Sequence, residues 1–538
     1  MADMDKRRHS VTKDQRTGHK HLAERSMQAA TTGAPNAPDK PVYPQIAMGV
    51  TVVAVALAIS FILSKINPSP DQGQSEIMAT QSGGLYVAYS AGPGEPKKLH
   101  PALNLASARL IAGSANKPTV VKDDVLAEYP RGLPMGIPSA PNSLEHSLST
   151  DHDAGWGVCT FHDARANLSL TRADSLRTIA VAGADAWEGG TELSNGRAMV
   201  VRPSDDLSRR YLLFDTYRAE LGADDYAIHS ALGIPQSAID NAAVVSPGML
   251  NTIETKPKVA VPPLDRFGLE SSAMPGKRIG DVLTTTGADS QRRYHVVLDD
   301  GLQVVPVTVA EILTVGGASI TPVSDPASIA GVPQLGDIDT AAYPPAMPTL
   351  VDDASLCSVW TKPRPSQPGQ PSTAPSARKL ITADSLPITR ELSDSLVDQL
   401  DGDGREVVDQ FTTAPGKGWY VRITGDGRQS DLEGQIAYID DTGIRYDVVP
   451  DDQGVYTPVV GALGLTGQPT PIPDAIARLL VKGPDLDARA ALVQRPSGAS
   501  GAIVESDGTD HGDLAPPEES DEGAGDDPFI GRRGPARE

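Results

Sequence analysis

The sequence predicts one membrane-spanning helix joined to a large, elongated extracytoplasmic α+β region, in which four small β-rich repeats surround a central domain with pseudo-two-fold duplication. Three observations predict this. Residues 46–66, IAMGVTVVAVALAISFILSKI, carry no charge before Lys65. As a helix rising ~1.5 Å per residue they would span ~30 Å, the hydrocarbon thickness of a bilayer. Four later stretches share one plan of short strand, turn, second strand and a small helical or Pro-rich continuation. Two inserts between those stretches each hold one cysteine beside a tryptophan, in opposite orders: WGVC at 156–159 and CSVW at 357–360.

The tail ahead of the span carries Lys6, Arg7, Arg8, Lys13, Arg16, Lys20, Arg25 and Lys40. That excess of positive charge favours a cytoplasmic N-terminus and leaves the bulk of the chain outside. Within the tail, 13–30 can form a short polar helix that needs a partner surface to order it. A small, Pro-containing linker follows.

Beyond the span the four units begin at LYVAY (85–89), YLLFD (211–215), YHVVLDDGLQVVPV (294–307) and IAYIDDTGIRYDVV (436–449). Asp299-Asp-Gly301 and Asp440-Asp-Thr-Gly443 are hairpin turns, because Asp and Gly tolerate positive φ. Alternation in the flanking strands marks them as half-buried. The spacing between units runs long, short, long, which describes two halves, each made of a unit, an insert and another unit.

The expected division is a cytoplasmic segment at 1–45, the span at 46–66 and a linker at 67–84. Repeat 1 then takes 85–149, the first part of the central domain 150–205, repeat 2 206–265 and repeat 3 275–345. The second part of the central domain takes 350–415 and repeat 4 416–492, with an acidic tail at 493–538 that has the composition of a disordered segment.

Composition narrows the function. Aromatic residues make up 4% of the 538, against 51 Gly and 46 Pro. That balance suits short strands and many turns rather than one large enzyme core. A net charge of −22 argues against nucleic acid, since no basic stripe is present to neutralise phosphates. No catalytic motif emerges. The nearest fragment to a phosphate loop, Gly416-Lys417-Gly418, lacks the preceding glycine and the hydroxyl residue. His146, His152, Cys159 and His162, with Asp153 and Asp163, are too loosely spaced for zinc. Asp398, Asp401, Asp403 and Glu406 put Glu406 where a calcium loop begun at Asp401 needs glycine. No metal, cofactor or catalytic residue is therefore assigned. Cys159 and Cys357 are the only cysteines. They are expected to form one intrachain disulfide that brings the two inserts into one domain, the alternatives being two free thiols or an intermolecular bridge.

The motifs KKLHPALNLASARLIAG (97–113), RGLPMGIPSAP (131–141) and WGVC resemble the EccB family, core membrane components of type VII (ESX) secretion systems. The similarity continues through GRAMVVR, YLLFD, GMLNTI (248–253), YHVVLDDGLQVV and CSVW, and covers most of 85–490. It departs at the ends, where the N-terminal tail matches only at TGHKHLAERS. The resemblance implies a cytoplasmic N-terminus, a single pass through the inner membrane and a periplasmic bulk of four repeats around a central domain. It further implies a scaffolding role beside EccC, EccD and EccE, a mycosin protease on the outer side, and self-association of the periplasmic domains. Two other functions are weighed against it: an ATPase subunit of the same system, as such proteins are often described, and a cell-wall-binding module.

Overall fold

The computed structural model describes residues 13–32 and 76–495, apart from 91, 93–94, 145–146, 149–152, 163–175, 288, 368–371, 373, 400–406 and 426–432. The chain divides into two compact units, Met1–Gln74 and Ser75–Glu538. In the first, Lys13–Thr32 is a helix on which Leu22 and Met27 are exposed. The expected span at 46–66 and the acidic tail past Arg495 lie outside the described residues. Among the described residues no helix is long and apolar enough to cross a membrane.

Among the described residues the second unit contains five sheets. The first is an antiparallel meander of β1 (Ile77–Ala79), β2 (Leu85–Tyr89) and β3 (Lys98–Pro101). After the helix Leu105–Ala112, β4 (Thr119–Val120) returns parallel to β1. Asn104 starts that helix by accepting the Ser107 N–H at 2.9 Å, and Gly113 ends it at φ 62°, a left-handed turn that glycine makes without a Cβ penalty. Next come β5 (Ser147–Leu148), β6 (Ala154–His162), β7 (Leu176–Ala182) and β8 (Thr191–Glu192).

The second small sheet repeats the plan with β9 (Arg197–Pro203), β10 (Arg210–Phe214) and β11 (Tyr217–Leu221). The helices Tyr226–Ala231 and Gln236–Asp240 lead to β12 (Ala243–Val245), parallel to β9, and β13 (Glu254–Lys256) adds beside β11. The third sheet has β14 (Val282–Thr286), β15 (Arg292–Val297) and β16 (Leu302–Val305), then the helix Val307–Val315 and β17 (Ile320–Pro322) parallel to β14.

After β18 (Thr349–Leu350) the chain enters the large sheet again with β19 (Ser355–Lys362), β20 (Ala377–Ala383), β21 (Val397–Asp398) and β22 (Gln410–Thr412). The fourth small sheet follows: β23 (Gly418–Thr424), β24 (Ile436–Ile439) and β25 (Arg445–Asp447), the helix Thr457–Leu463, and β26 (Thr470–Pro473) parallel to β23.

The large sheet has seven strands in the order β21-β22-β7-β6-β19-β20-β8. Strands from the two inserts run in blocks, with β7 and β6 of the first beside β19 and β20 of the second at the middle. β8 adds beside β20 and β22 beside β7, so each stretch closes the sheet on the far side of the other. Two satellite strands, β5 on β23 and β18 on β9, also cross from one stretch to the other.

Packing follows the same crossing. One core joins Leu110, Ile137 and Leu144 near the first sheet to Tyr438, Tyr446 and Leu463 of the fourth. The equivalent core joins Leu212 and Ile228 of the second to Val296 and Leu313 of the third. The sequence reading found the middle strand of every meander but not the leading one, and it did not name the last strand of the second, Tyr217–Leu221. Ile77–Ala79 sits inside the stretch read as a polar linker, and Arg197–Pro203 inside the first insert. No Gly or Asp hairpin turn precedes Ile77–Ala79, whereas Arg197–Pro203 follows the Asn195-Gly196 turn, at φ 55° and 84°, a local signal that the sequence reading passed over.

Candidate functional site

The centre of the large sheet is where the two inserts meet. β6 and β19 run antiparallel in a register that sets Trp156 opposite Trp360 and Cys159 opposite Cys357. Because side chains alternate along a strand, the tryptophans and the cysteines fall on opposite faces. Trp156 and Trp360 join Met199, Tyr211, Trp419 and Val421 in one core. Cys159 and Cys357 join Ile179, Val359 and Ile381 in another. The two sulfurs are bonded to each other at 2.07 Å, and both residues are fully buried.

The tryptophan face holds two neighbouring small sheets, the second and the fourth. The indole N–H of Trp156 donates to the Pro471 carbonyl at 3.0 Å, and its ring lies 5.1 Å from that of Trp419. An aromatic pair of this kind contributes about 1 kcal/mol beyond its buried area. On the same face Arg378, opposite Trp360 in the ladder, donates to the Thr252 carbonyl at 2.8 Å. His162 reaches the Val244 carbonyl at 3.0 Å; burial depresses its pKa, partly opposed by that hydrogen bond.

Two glycines permit the close approach. A Cβ on Gly157 would lie 2.2 Å from Cη2 of Trp187, and one on Gly155 2.4 Å from the backbone of Ala184. Trp187 was not singled out from sequence; the signal available was the Gly-Trp-Gly row across the ladder from a second tryptophan. Beside this corner opens a cavity of about 690 Å3, lined by Asp153, Asp185, Arg364, Glu391, Lys417 and Trp419 among others.

The other residues weighed for chemistry are structural where described. The Gly416 N–H donates to Asp441 at 3.0 Å, and a Cβ on Gly418 would strike the Tyr438 hydroxyl at 2.2 Å. That corner is filled by a carboxylate and a phenol. Asp398 accepts from Gln410 at 2.7 Å. His146, His152, Asp163, Asp401, Asp403 and Glu406 lie outside the described residues.

The comparisons with known proteins agree with this geometry. The chain is 31% identical over 466 residues to the ESX-3 secretion system ATPase EccB3 of Mycobacterium tuberculosis, covering 83% of this chain and 82% of that one. It is 30% identical over 505 residues to the ESX-5 secretion system ATPase EccB5 of Mycobacterium marinum, covering 90% and 93%. A chain in the structure of an intact ESX-5 inner membrane complex superposes with a TM-score of 0.66 at 26% identity, over 93% of this chain and 98% of that one. The structure of the EccB3 dimer from the ESX-3 core complex gives 0.65 at 29% identity, over 78% and 100%. The family model described as type VII secretion system ESX-1, transport TM domain B, matches residues 8–499, and the chain therefore belongs to the EccB family.

Proposed function

We propose that this protein is a structural core component of a type VII (ESX) secretion complex in the inner membrane, anchored by residues 46–66 with its N-terminus in the cytoplasm and its bulk forming a periplasmic scaffold. The observation that carries this reading is the superposition of nearly the whole chain on a component of an intact ESX-5 inner membrane complex. The crossed large sheet supports a rigid role, since neither insert completes it alone.

In this reading the four small sheets are repeats of one ancestral unit, the first starting at β1 and the second at β9, with the other boundaries as the sequence gives them. Internal duplication of that kind suits an elongated scaffold. The partners are the EccC motor, EccD and EccE, a mycosin protease, and a second copy of this chain. The dimer named in the ESX-3 structure supports the last.

Two experiments test it. A reporter active only in the periplasm works when fused after Leu492 and fails when fused at Thr31; the reverse pattern overturns the topology. The tagged full chain co-purifies with the EccC, EccD and EccE proteins of its own host; its isolation without them overturns the scaffold role.

An enzymatic reading is favoured by one observation, the word ATPase in the names of the similar proteins. Nucleotide titration of the purified full chain separates the two. Saturable micromolar binding with turnover establishes the ATPase; heat-stability and turnover unchanged by nucleotide leave the scaffold.

A further inference from the structure

The two halves of the crossed region share a backbone register, and one pair of equivalent positions is used differently in them. Asp153-Ala-Gly155 leads into β6 as Asp353-Ala-Ser355 leads into β19. Gly155 accepts from the Gly183 N–H at 2.8 Å, and Ser355 pairs with Ala383 in the corresponding place. The small sheets give the second register. Met199 faces Leu213 as Trp419 faces Ile439, and Val201 faces Ala243 as Val421 faces Thr470. Arg197 and Lys417 are therefore counterparts, as are Asp353 and Asp153.

On one side the counterparts pair. Arg197 Nη2 lies 3.7 Å from Asp353 Oδ2, and the neighbouring chain closes down so that a Cβ on Gly196 would meet Ala346 at 3.3 Å. On the other side the pair is open. Asp153 accepts instead from the Arg364 backbone N–H at 2.8 Å, and Lys417 makes no ion pair among the described residues. Between Asp153 and Lys417 lies the 690 Å3 cavity.

We propose that this cavity is a docking site for an extended segment of a partner protein, one that presents a carboxylate to Lys417 and a cationic side chain to Asp185 and Glu391. The inference rests on the scaffold reading and goes beyond it. Charge complementarity chooses the occupant. Both signs line the cleft, with Lys417 facing the same space as Asp185 and Glu391, while Ala182, Ala186 and Trp419 supply apolar wall. A strand-like peptide offers side chains of different sign at successive positions on alternate sides, whereas a simple anion or cation would satisfy only one wall. The volume falls within the ~300–1,000 Å3 of ordinary ligand pockets. Because Arg197 and Asp353 pair with each other, the equivalent position lacks the open charges that recommend this one.

The test uses the full chain within its assembled membrane complex. A photo-cross-linking phenylalanine is placed at Ala414, exposed on the cleft rim, and separately at its counterpart Ser194. The expected result is a protein adduct from 414 and none from 194, with the cross-linked peptide holding an acidic residue. Lys417→Glu reduces that adduct at least ten-fold, Lys417→Arg keeps it, and changing the partner's acidic residue to Lys restores it against Lys417→Glu. Equal adducts from both positions, an adduct with lipid or with the same chain, no adduct, or indifference to Lys417→Glu each overturn the proposal while the complex remains intact. Failure of the chain to enter the complex overturns the scaffold reading as well.

Discussion

Gly157 sits directly beneath the indole of Trp187, so that a Cβ on the glycine would fall 2.2 Å from Cη2 and 2.3 Å from Cζ2 of the ring. The bare backbone of β6 is what lets Trp187 close the cysteine face of the large sheet, where it packs against that core. Gly157→Ala forces the ring aside, and overpacking of this kind costs about 1–3 kcal/mol. Thermal unfolding of the variant checks it. Adding Trp187→Leu, which vacates the ring's volume, recovers part of the loss; a Gly157→Ala protein as stable as the parent removes the contact from the account.

The Cys159–Cys357 bond closes a loop with a separation of 198 residues. The loop-entropy model gives roughly 5 kcal/mol as an upper estimate for a ring of that size. Peptide mapping without reductant is expected to recover the two cysteines as one linked pair from monomeric chain. Free thiols on both, or a covalent dimer, contradict it. The paired variant Cys159→Ala with Cys357→Ala is expected to unfold at lower denaturant, with the EccB fold retained.

Burial holds the pKa of His162 below its ordinary value of 6.5. It does the same to His295, where Arg293 adds to the effect. Unfolding releases both rings to titrate normally, so the unfolded chain binds more protons as the medium acidifies. Their contribution to stability is complete above pH ~6.5 and is lost progressively as pH falls from there toward the lower folded pKa. Unfolding midpoints followed from pH 7.5 to 5 are expected to fall. His162→Gln, which keeps a donor for the Val244 carbonyl, flattens the decline; an unaltered slope shows that other groups govern it.

Asp447 is buried in the fourth sheet between two cations. Arg445 Nε lies 3.1 Å from Oδ1, and Lys482 Nζ 3.2 Å from Oδ2. Hydrogen bonding to Asp485, then to Asp447, raises the pKa of Lys482. Removing the carboxylate strands the buried Arg445 while Lys482 keeps Asp485, and breaking a buried pair costs about 3–5 kcal/mol. Asp447→Ala is expected to lose at least the lower figure in chemical denaturation, and Lys482→Met distinctly less, because Lys482 is one-third exposed.

The parts of this fold that sequence reveals are those with local chemistry. Asp440 accepts the Thr442 and Ile444 N–H groups at 3.0 Å each, which is the turn its Asp-Asp-Thr-Gly row implies. The mirrored Trp and Cys rows were legible because they are rare residues in a chain poor in both. Which small sheet packs on which was not. The first meets the fourth through contacts such as Arg109 Nη1 to the Leu463 carbonyl, 354 residues apart. Apolar periodicity reports that a face is buried and carries no label for what buries it. The open counterpart of the Arg197–Asp353 pair was hidden for a related reason: Asp153 and Lys417 are ordinary exposed-type residues until two registers are superimposed.

The exchange of β8 and β22 across the large sheet has a consequence for the order of synthesis. When the first insert leaves the ribosome, the β6 edge that will take β19 is bare, and it stays so until residue 362 has followed. A bare strand edge invites pairing with any neighbouring chain, and closing so distant a ladder is slow. Nascent copies therefore pass through a period of mutual stickiness, and the yield of correctly assembled protein depends on how crowded they are while it lasts.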